Sequence, residues 1–244
     1  MNPPILFEDE VFLAINKPAG IVVNRAESVK GETVQDWAEE KYHVSSITYQ
    51  ACLPARQVSE ENKDFFDRAG IVHRIDKETS GILLIAKTPV AFLELQRQFK
   101  ERIIKKTYLA IAHGTVVPEA GVIRAPVGRL PWNKERFGIV PGGKESVTRY
   151  TVSKVFTKDG EPFSFVELHP ETGRTHQIRV HMKYINHPIL GDYLYAGRKT
   201  SRNDRTWAPR VMLHAWKLMC MHPITGAPIE IIATIPDDMN SIIT

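Results

Sequence analysis

Between His73 and Thr88 the chain reads His-Arg-Ile-Asp-Lys-Glu-Thr-Ser-Gly-Ile-Leu-Leu-Ile-Ala-Lys-Thr. One residue in this stretch can do chemistry by itself. Asp76 is a carboxylate flanked by Arg74 and Lys77, whose positive charges favour its ionised form. Thr79, Ser80 and Gly81 with acidic neighbours make a turn, and the Ile-Leu-Leu-Ile run that follows suits a strand packed on both faces. Such an aspartate is held by a rigid element behind it and open to a ligand in front, so it can serve as nucleophile or base. The competing reading is that an aspartate before a strand bonds the backbone of its own turn.

Two more groups carry reactive side chains. Residues 103–112 alternate as a strand and place Lys106, Tyr108, Ala110 and Ala112 on one face. Tyr108 would offer a flat aromatic surface and a phenol, which needs assistance to act as a base because its ordinary pKa is about 10. The alternative is plain core packing. Residues 174–185 have helical spacing with Ile178, Met182 and Ile185 inward, and put Arg179 on a second face with His176. A buried arginine requires a carboxylate partner; a surface salt bridge is the alternative. His176 and His181 are five apart, on different helical faces and with no thiolate nearby, so no metal site is expected.

The elements that must position these groups follow from the pattern. Val11–Asn16 and Ile21–Asn24 read as paired strands around Lys17-Pro18-Ala19-Gly20. A helix begins at Thr33, capped by that residue with Asp36 three positions on, and buries Val34, Trp37 and Ala38. Residues 43–70 are mixed in charge and lack a period, which predicts an irregular or partly disordered insertion leading to the Asp76 turn. Thr88 and Pro89 supply an N-cap and a first-position proline for a helix with Phe92, Leu95 and Phe99 inward. Segment 126–145 predicts a loop or loose hairpin carrying Trp132 and Phe137, strands follow near 146–156 and 163–168, and a last hairpin pairs 213–221 with 228–235. Strands outnumber helices and lack crossover spacing, so the expected class is α+β with a largely antiparallel sheet, in one domain spanning 1–244.

Charge adds the partner class. The net charge is +4 over 244 residues, but segments 97–106, 122–150 and 198–210 each carry +4, leaving −8 for the rest. That segregation suits a polyanion-binding face on an acidic body, and Arg129, Lys134, Arg136, Arg198 and Lys199 are its candidate contacts; merely solvated basic loops are the alternative. No apolar run reaches the roughly 18 residues of a membrane helix and no signal peptide is evident, so a cytoplasmic chain is expected. Cys52 and Cys220 form neither a disulfide framework nor a zinc pattern, and Cys220 reads as core.

His73-Arg74-Ile75-Asp76-x-x-Thr79-Ser80-Gly81-x-x-x-x-Ala86 resembles the signature of the RluA-type pseudouridine synthases, with Ile75 where leucine is usual. Asn16-Lys17-Pro18-Ala19-Gly20, Lys106-x-Tyr108-x-Ala110, Thr172-Gly173-Arg174-Thr175-His176-Gln177-Ile178-Arg179, His187-Pro188-Ile189-x-Gly191-Asp192-x-x-Tyr195, Leu213-His214-Ala215 and His222-Pro223-x-Thr225-Gly226 follow the family's order, covering about residues 6–236. The resemblance implies a mixed sheet in two halves with flanking helices and a central cleft. It implies isomerisation of uridine in structured RNA, tRNA or rRNA, without cofactor or metal. Asp76 is then the essential carboxylate, acting at C1′, on the base or on the sugar. Tyr108 faces the uracil, Arg179 pairs with the aspartate, and Lys106 and His176 bind substrate. Arg74 either fills the stack vacated by a flipped base or contacts phosphate. An N-terminal S4-type RNA-binding domain is expected to be missing, and a monomer with no obligate protein partner is expected. The alternatives are an inactive RNA-binding protein on the same scaffold and an unrelated nucleotide hydrolase, for which no phosphate-cradling loop is found.

Overall fold

The computed structural model describes residues 1–27, 29–42 and 60–244, apart from the side chains of Glu60, Glu61, Lys134 and Glu135. The chain forms two compact units, one of Met1–Ile104 with Leu218–Ala233 and one of Lys105–Lys217 with Thr234–Thr244. Both are built on antiparallel strand pairs flanked by helices, as the pattern predicted.

In the first unit, β1 (Ile5–Glu8) pairs with β2 (Phe12–Lys17), and β2 pairs with β3 (Ser80–Ala86) in a register running from Phe12 opposite Ala86 to Lys17 opposite Gly81. Every residue of β3 is buried, which explains its unbroken apolar run. Helix α1 (Val34–Tyr42) starts where Thr33 predicts. The Asp36 Oδ2 accepts from Thr33 N at 2.7 Å, and Asp36 N donates to Thr33 Oγ1 at 3.2 Å. Its inward residues include Val34, Trp37 and Ala38.

Two expectations here require correction. Residues 21–24 are not a strand: the carbonyls of Val22 and Val23 accept from the N–H groups of Val34 and Gln35, so this backbone caps α1 rather than pairing in a sheet. Part of the supposed irregular insertion is a helix, α2 (Glu60–Asp67), whose Phe65 and Phe66 are buried; residues 43–59, including Cys52, lie outside the described residues. Apolar burial of two adjacent aromatics overrides the poor periodicity of that segment.

Helix α3 (Pro89–Lys100) carries the Thr88 cap, which accepts from Ala91 N at 3.3 Å, and buries Phe92 and Leu95 completely. Gln98, also fully buried, bonds both backbone groups of Met221 at 2.9 Å. Met221 ends β10 (Leu213–Met221), which pairs with β11 (Pro228–Ile232). The core of this unit joins Phe12, Phe65, Ile82, Leu84, Phe92 and Leu95 with Leu218 and Cys220. Burial pushes the Cys220 thiol up to about 11, in keeping with a core residue.

The second unit is an antiparallel array of β4 (Lys105–His113), β9 (Glu161–Pro170), β8 (Val147–Lys158) and β5 (Ala120–Arg124), in that order. A separate hairpin of β6 (Val127–Leu130) and β7 (Asn133–Ile139) fills the predicted loose segment. Helices α4 (Gln177–Tyr184), α5 (Arg198–Asp204) and α6 (Asp237–Ile243) complete it. Its core includes Leu109, Ile111, Val166, Leu168, Ile178 and Met182, with Met212 and Leu213 from the β10 region. A paired contact of Arg210 Nε and Nη2 with Asp238, at 2.6 and 2.8 Å, fastens α6.

Candidate active-site residues

Asp76 stands, half-buried, in a turn closed by Thr79 N donating to the Asp76 carbonyl at 3.1 Å. What holds this turn is a lysine that sequence reasoning placed only in a neighbouring motif. Lys17 is completely buried, and its ammonium donates to the carbonyls of Pro18 at 2.8 Å, Ile21 at 2.9 Å and Lys77 at 3.1 Å. The Lys77 carbonyl also accepts from Gly20 N at 2.8 Å. The residue after Asp76 is thus tied to the end of β2, and Gly20 is free to take the φ of +87° that brings its N–H there. Behind the turn, His73 Nε2 accepts from Leu84 N at 3.0 Å and the ring lies against Phe99. Gly70 is needed at the same edge, because a Cβ there would sit 2.0 Å from the Ala86 carbonyl oxygen. Backbone contacts and one buried cation therefore fix the loop while Arg74, two residues before Asp76, stays exposed.

Lys106, Tyr108, His176 and Arg179 all belong to the second unit. Tyr108 is half-buried, pairs across to Leu168 and packs one side on the core. Lys106 precedes it by two, on the same strand face, with its ammonium beside Gly173. Burial pulls the Lys106 ammonium down from its usual 10.5 to about 8.

The arginine segment departs from its predicted form. The helix starts at Gln177, not 174, because the Gln177 side chain turns back on the preceding loop: Oε1 accepts from Arg174 N and Thr172 Oγ1, and Nε2 donates to the Val147 carbonyl. His176 is left at the N-cap with φ of 56°, an unusual conformation for a side chain of its kind. It therefore does not share a helical face with Arg179. Nor is there one inward stripe: Arg179, Val180 and His181 are buried along with Ile178 and Met182, while Ile185 is only partly so. The β6–β7 hairpin and the turn at Asp192–Tyr195 cover the second side, where Val180 meets Val127 and Tyr195. His181 lies between Thr148 Oγ1 at 2.9 Å and the Ala125 carbonyl at 3.1 Å, a structural position, and burial lowers its pKa.

Within its own unit Arg179 has a partner that sequence reasoning did not single out. Its Nε and Nη2 donate to Asp192 Oδ2 and Oδ1 at 2.7 and 2.9 Å, and both side chains are almost wholly buried. Asp192 Oδ1 also accepts from the N–H groups of Leu194 and Tyr195, at 3.0 and 3.1 Å. The signal was present in the Gly191-Asp192-x-x-Tyr195 block, but nothing in that block says which cation the aspartate holds. Of the basic candidates, Arg129, Arg198 and Lys199 are exposed and Arg136 is half-buried, while the side chain of Lys134 lies outside the described residues. Arg129 lies over the Phe137 ring at 5.2 Å. Other cations of the three basic segments serve the fold: Arg97 pairs with Glu94 and Glu101, Arg149 with Glu171, and Arg210 with Asp238.

Residues 11–184 match the family model described as RNA pseudouridylate synthase. The chain belongs to that family. Asp76, Tyr108, His176 and Arg179 all fall within the matched span, whereas Asp192 and Tyr195 fall beyond its end. Among similar proteins, Ribosomal large subunit pseudouridine synthase D of Nitrosomonas europaea is 37% identical over 98% of this chain, which spans 64% of that relative. The uncharacterized RNA pseudouridine synthase YlyB of Bacillus subtilis is 37% identical over 100% of the chain and 72% of its own length. Among solved structures, human RNA pseudouridylate synthase domain containing 1 superposes with a TM-score of 0.71 at 28% identity, covering 96% of this chain and 83% of that one.

Proposed function

We propose that this chain converts specific uridines in structured RNA to pseudouridine, and that Asp76, Tyr108 and Arg179 serve a single target uridine. The observation that carries the reading is Asp76 in its signature turn, a carboxylate set on a loop that Lys17 and Gly20 lock from behind. Rigid placement of this kind is what a reacting group needs, since a displacement of about 1 Å can cost 10²-fold in rate. The reaction breaks the bond between uridine N1 and C1′, turns the base, joins C5 to C1′, and replaces the proton lost from C5 by one taken up at N1. Asp76 supplies the negative oxygen for the first stage. Tyr108 offers its aromatic face to the loosened uracil, and Arg179 balances the charge of the aspartate. Lys106 and His176 contact the substrate, and Arg74 takes the space the target base leaves when it swings out.

The phosphate track in this reading runs over Arg129, Lys134, Arg136, Arg198 and Lys199, and the two units act as one catalytic domain without a cofactor. Since the Nitrosomonas europaea relative is named for the ribosomal large subunit, its rRNA is the first RNA to examine here. We further read the protein as a cytoplasmic monomer; among the described residues no helix is long and apolar enough to cross a membrane. The deciding experiment maps pseudouridine in cellular RNA with the gene intact, deleted, and replaced by Asp76→Asn. A site that disappears on deletion and stays absent with Asp76→Asn supports the reading. A site restored by Asp76→Asn overturns the role of the aspartate, and no change on deletion overturns the activity.

A further inference from the structure

One side chain of the second unit meets every part of the arginine network and has no role in the chemistry above. The ring of Tyr195 lies under the Arg179 guanidinium, 5.1 Å from it. Its backbone N–H donates to Asp192 Oδ1, the oxygen that also accepts from Arg179 Nη2. Its hydroxyl accepts from Phe137 N at 3.1 Å and stands 2.8 Å from His176 Nδ1. A phenol has one proton to give. With the Phe137 N–H donating to the oxygen and Nδ1 sharing a hydrogen bond with the same hydroxyl, one hydroxyl joins the hairpin backbone to the turn before α4. The His176 ring reinforces the link edge-on, against both Phe137 and Tyr195.

The carboxylate and the ring act on Arg179 in different ways. Paired bonds to Asp192 fix the guanidinium within its own plane, but leave it able to tilt about the axis joining the two side chains. A ring lying beneath removes that tilt. The hairpin that holds the ring's far end is also the element bearing Arg129 and Arg136, with Trp132 at its tip 79% exposed. A force on the hairpin from bound nucleic acid would reach Tyr195 through Phe137. We infer that Tyr195 is a positioning residue that couples engagement of RNA by the β6–β7 hairpin to the orientation of Arg179. This rests on the uridine-isomerase reading, and goes beyond it in making the hairpin part of the rate-setting machinery.

The test uses the whole chain in excess over total RNA from cells lacking it, and follows pseudouridine formation in a single turnover. The limiting rate and the half-saturating protein concentration are measured for wild type, Tyr195→Phe, the pair Arg129→Ala with Arg136→Ala, and all three changes together. Tyr195→Phe keeps the ring and its packing and removes only the hydroxyl. It should lower the limiting rate about tenfold, the scale of one hydrogen bond lost with a partner left buried, and move half-saturation by no more than about twofold. The hairpin pair should lower the rate and raise half-saturation in the wild-type background, but change half-saturation alone once the hydroxyl is gone. Tyr195→Phe is assayed at a temperature where its thermal melt shows it folded, so that the rate loss is read on the native protein. An unchanged rate in Tyr195→Phe, or effects that simply multiply, would overturn the coupling. So would a rate loss matched by the fraction unfolded in a thermal melt. Wild type against Asp76→Asn separates the two readings: if neither forms pseudouridine, the activity fails and the coupling with it, whereas an active wild type confines any failure to Tyr195.

Discussion

The Asp76 turn and the Arg179 network are both rigid, but they are held by opposite means. Around Asp76 the Lys17 ammonium and the Gly20 N–H make their contacts to main-chain atoms. Around Arg179 the fixing contacts are made to the functional side chain itself, by Asp192 and by the Tyr195 ring. The first arrangement puts the loop's anchors on main-chain atoms beside the proposed reacting group. The second makes function and stability inseparable, because the charge that would act on substrate is also a buried charge that must be neutralised.

The sharpest break between the regions is Asp76→Asn. Turnover should vanish, while the free energy of unfolding in urea stays within about 0.5 kcal/mol of wild type, because Asn keeps the shape of the side chain and the Lys17 and Gly20 contacts to the main chain remain. A large loss of stability would mean that the carboxylate itself supports the loop. Arg179→Ala should do the reverse of this separation. It leaves Asp192 buried without its cation, at about 3–5 kcal/mol, so activity and stability fall together. Arg179→Lys should recover only part of either, since one ammonium cannot make the two-point contact with Asp192. A fully stable Ala variant would show that the pair with Asp192 contributes nothing to the fold.

Lys17→Met tests the main-chain side of the comparison. The methionine fills similar space but provides no donor, which leaves the Pro18 and Ile21 carbonyls short of a partner; Lys77 keeps the Gly20 N–H. The cost of such an unmet group is about 1–3 kcal/mol. Turnover should fall further than stability, since the turn bearing Asp76 loses the ammonium and is left with the Gly20 N–H. Activity equal to wild type in the folded fraction would show that the turn holds its shape without the ammonium.

The same contrast decides what could be read from sequence. Asp76, its turn and the buried strand after it are contiguous, so local turn chemistry and apolar patterning reach them directly. The Thr33–Asp36 and Thr88–Pro89 helix starts are legible for the same reason. Lys17 was visible only as part of a Lys-Pro-Ala-Gly turn, since a lysine that captures a carbonyl 60 positions away leaves no local trace. Asp192 and Tyr195 are nonlocal in the same way, and the periodicity of 174–185 misled because that helix is covered on a second side by a hairpin some 40–50 residues earlier in the chain. Strand 21–24 failed on a competition that pattern alone cannot resolve: its carbonyls were claimed by the first N–H groups of α1.

Lys106 offers a pH probe of the second region. With its folded value at about 8, the ammonium is charged below that pH and neutral above it. If its charge serves the substrate, the rate should fall as pH rises through about 8, and Lys106→Arg should move that limb upward because a guanidinium keeps its proton. Stability should run the other way. The folded value lies below the unfolded one, so between about 8 and 10.4 the unfolded chain binds more protons and unfolding free energy rises with pH. Urea titrations near the two ends of that window should show wild type gaining on Lys106→Met. Parallel curves for the two proteins would remove Lys106 from the argument.

The smallest expected effect concerns the hairpin, where positions are exposed and each charge contributes little alone. If Arg129, Lys134 and Arg136 lie on the phosphate track, log Kd for RNA should vary linearly with log salt, with about 0.7–0.9 of slope for each phosphate neutralised. Replacing all three with Ala should make the slope shallower by about 2–3, weaken different RNAs alike, and leave the modified uridine where it was. Because Arg129 already lies over Phe137, part of its charge is shared with that ring, and its share of the slope should be the least of the three. The competing outcome is informative too. Trp132 and Phe137 give the hairpin stacking surfaces among its cations, so a role in choosing the target would appear as a moved modification site together with the weaker binding. Salt titrations of wild type and the triple variant, followed by pseudouridine mapping of the same RNAs, distinguish the two. An unchanged slope would remove the hairpin from the phosphate track and leave Arg198 and Lys199 of α5 as its remaining candidates.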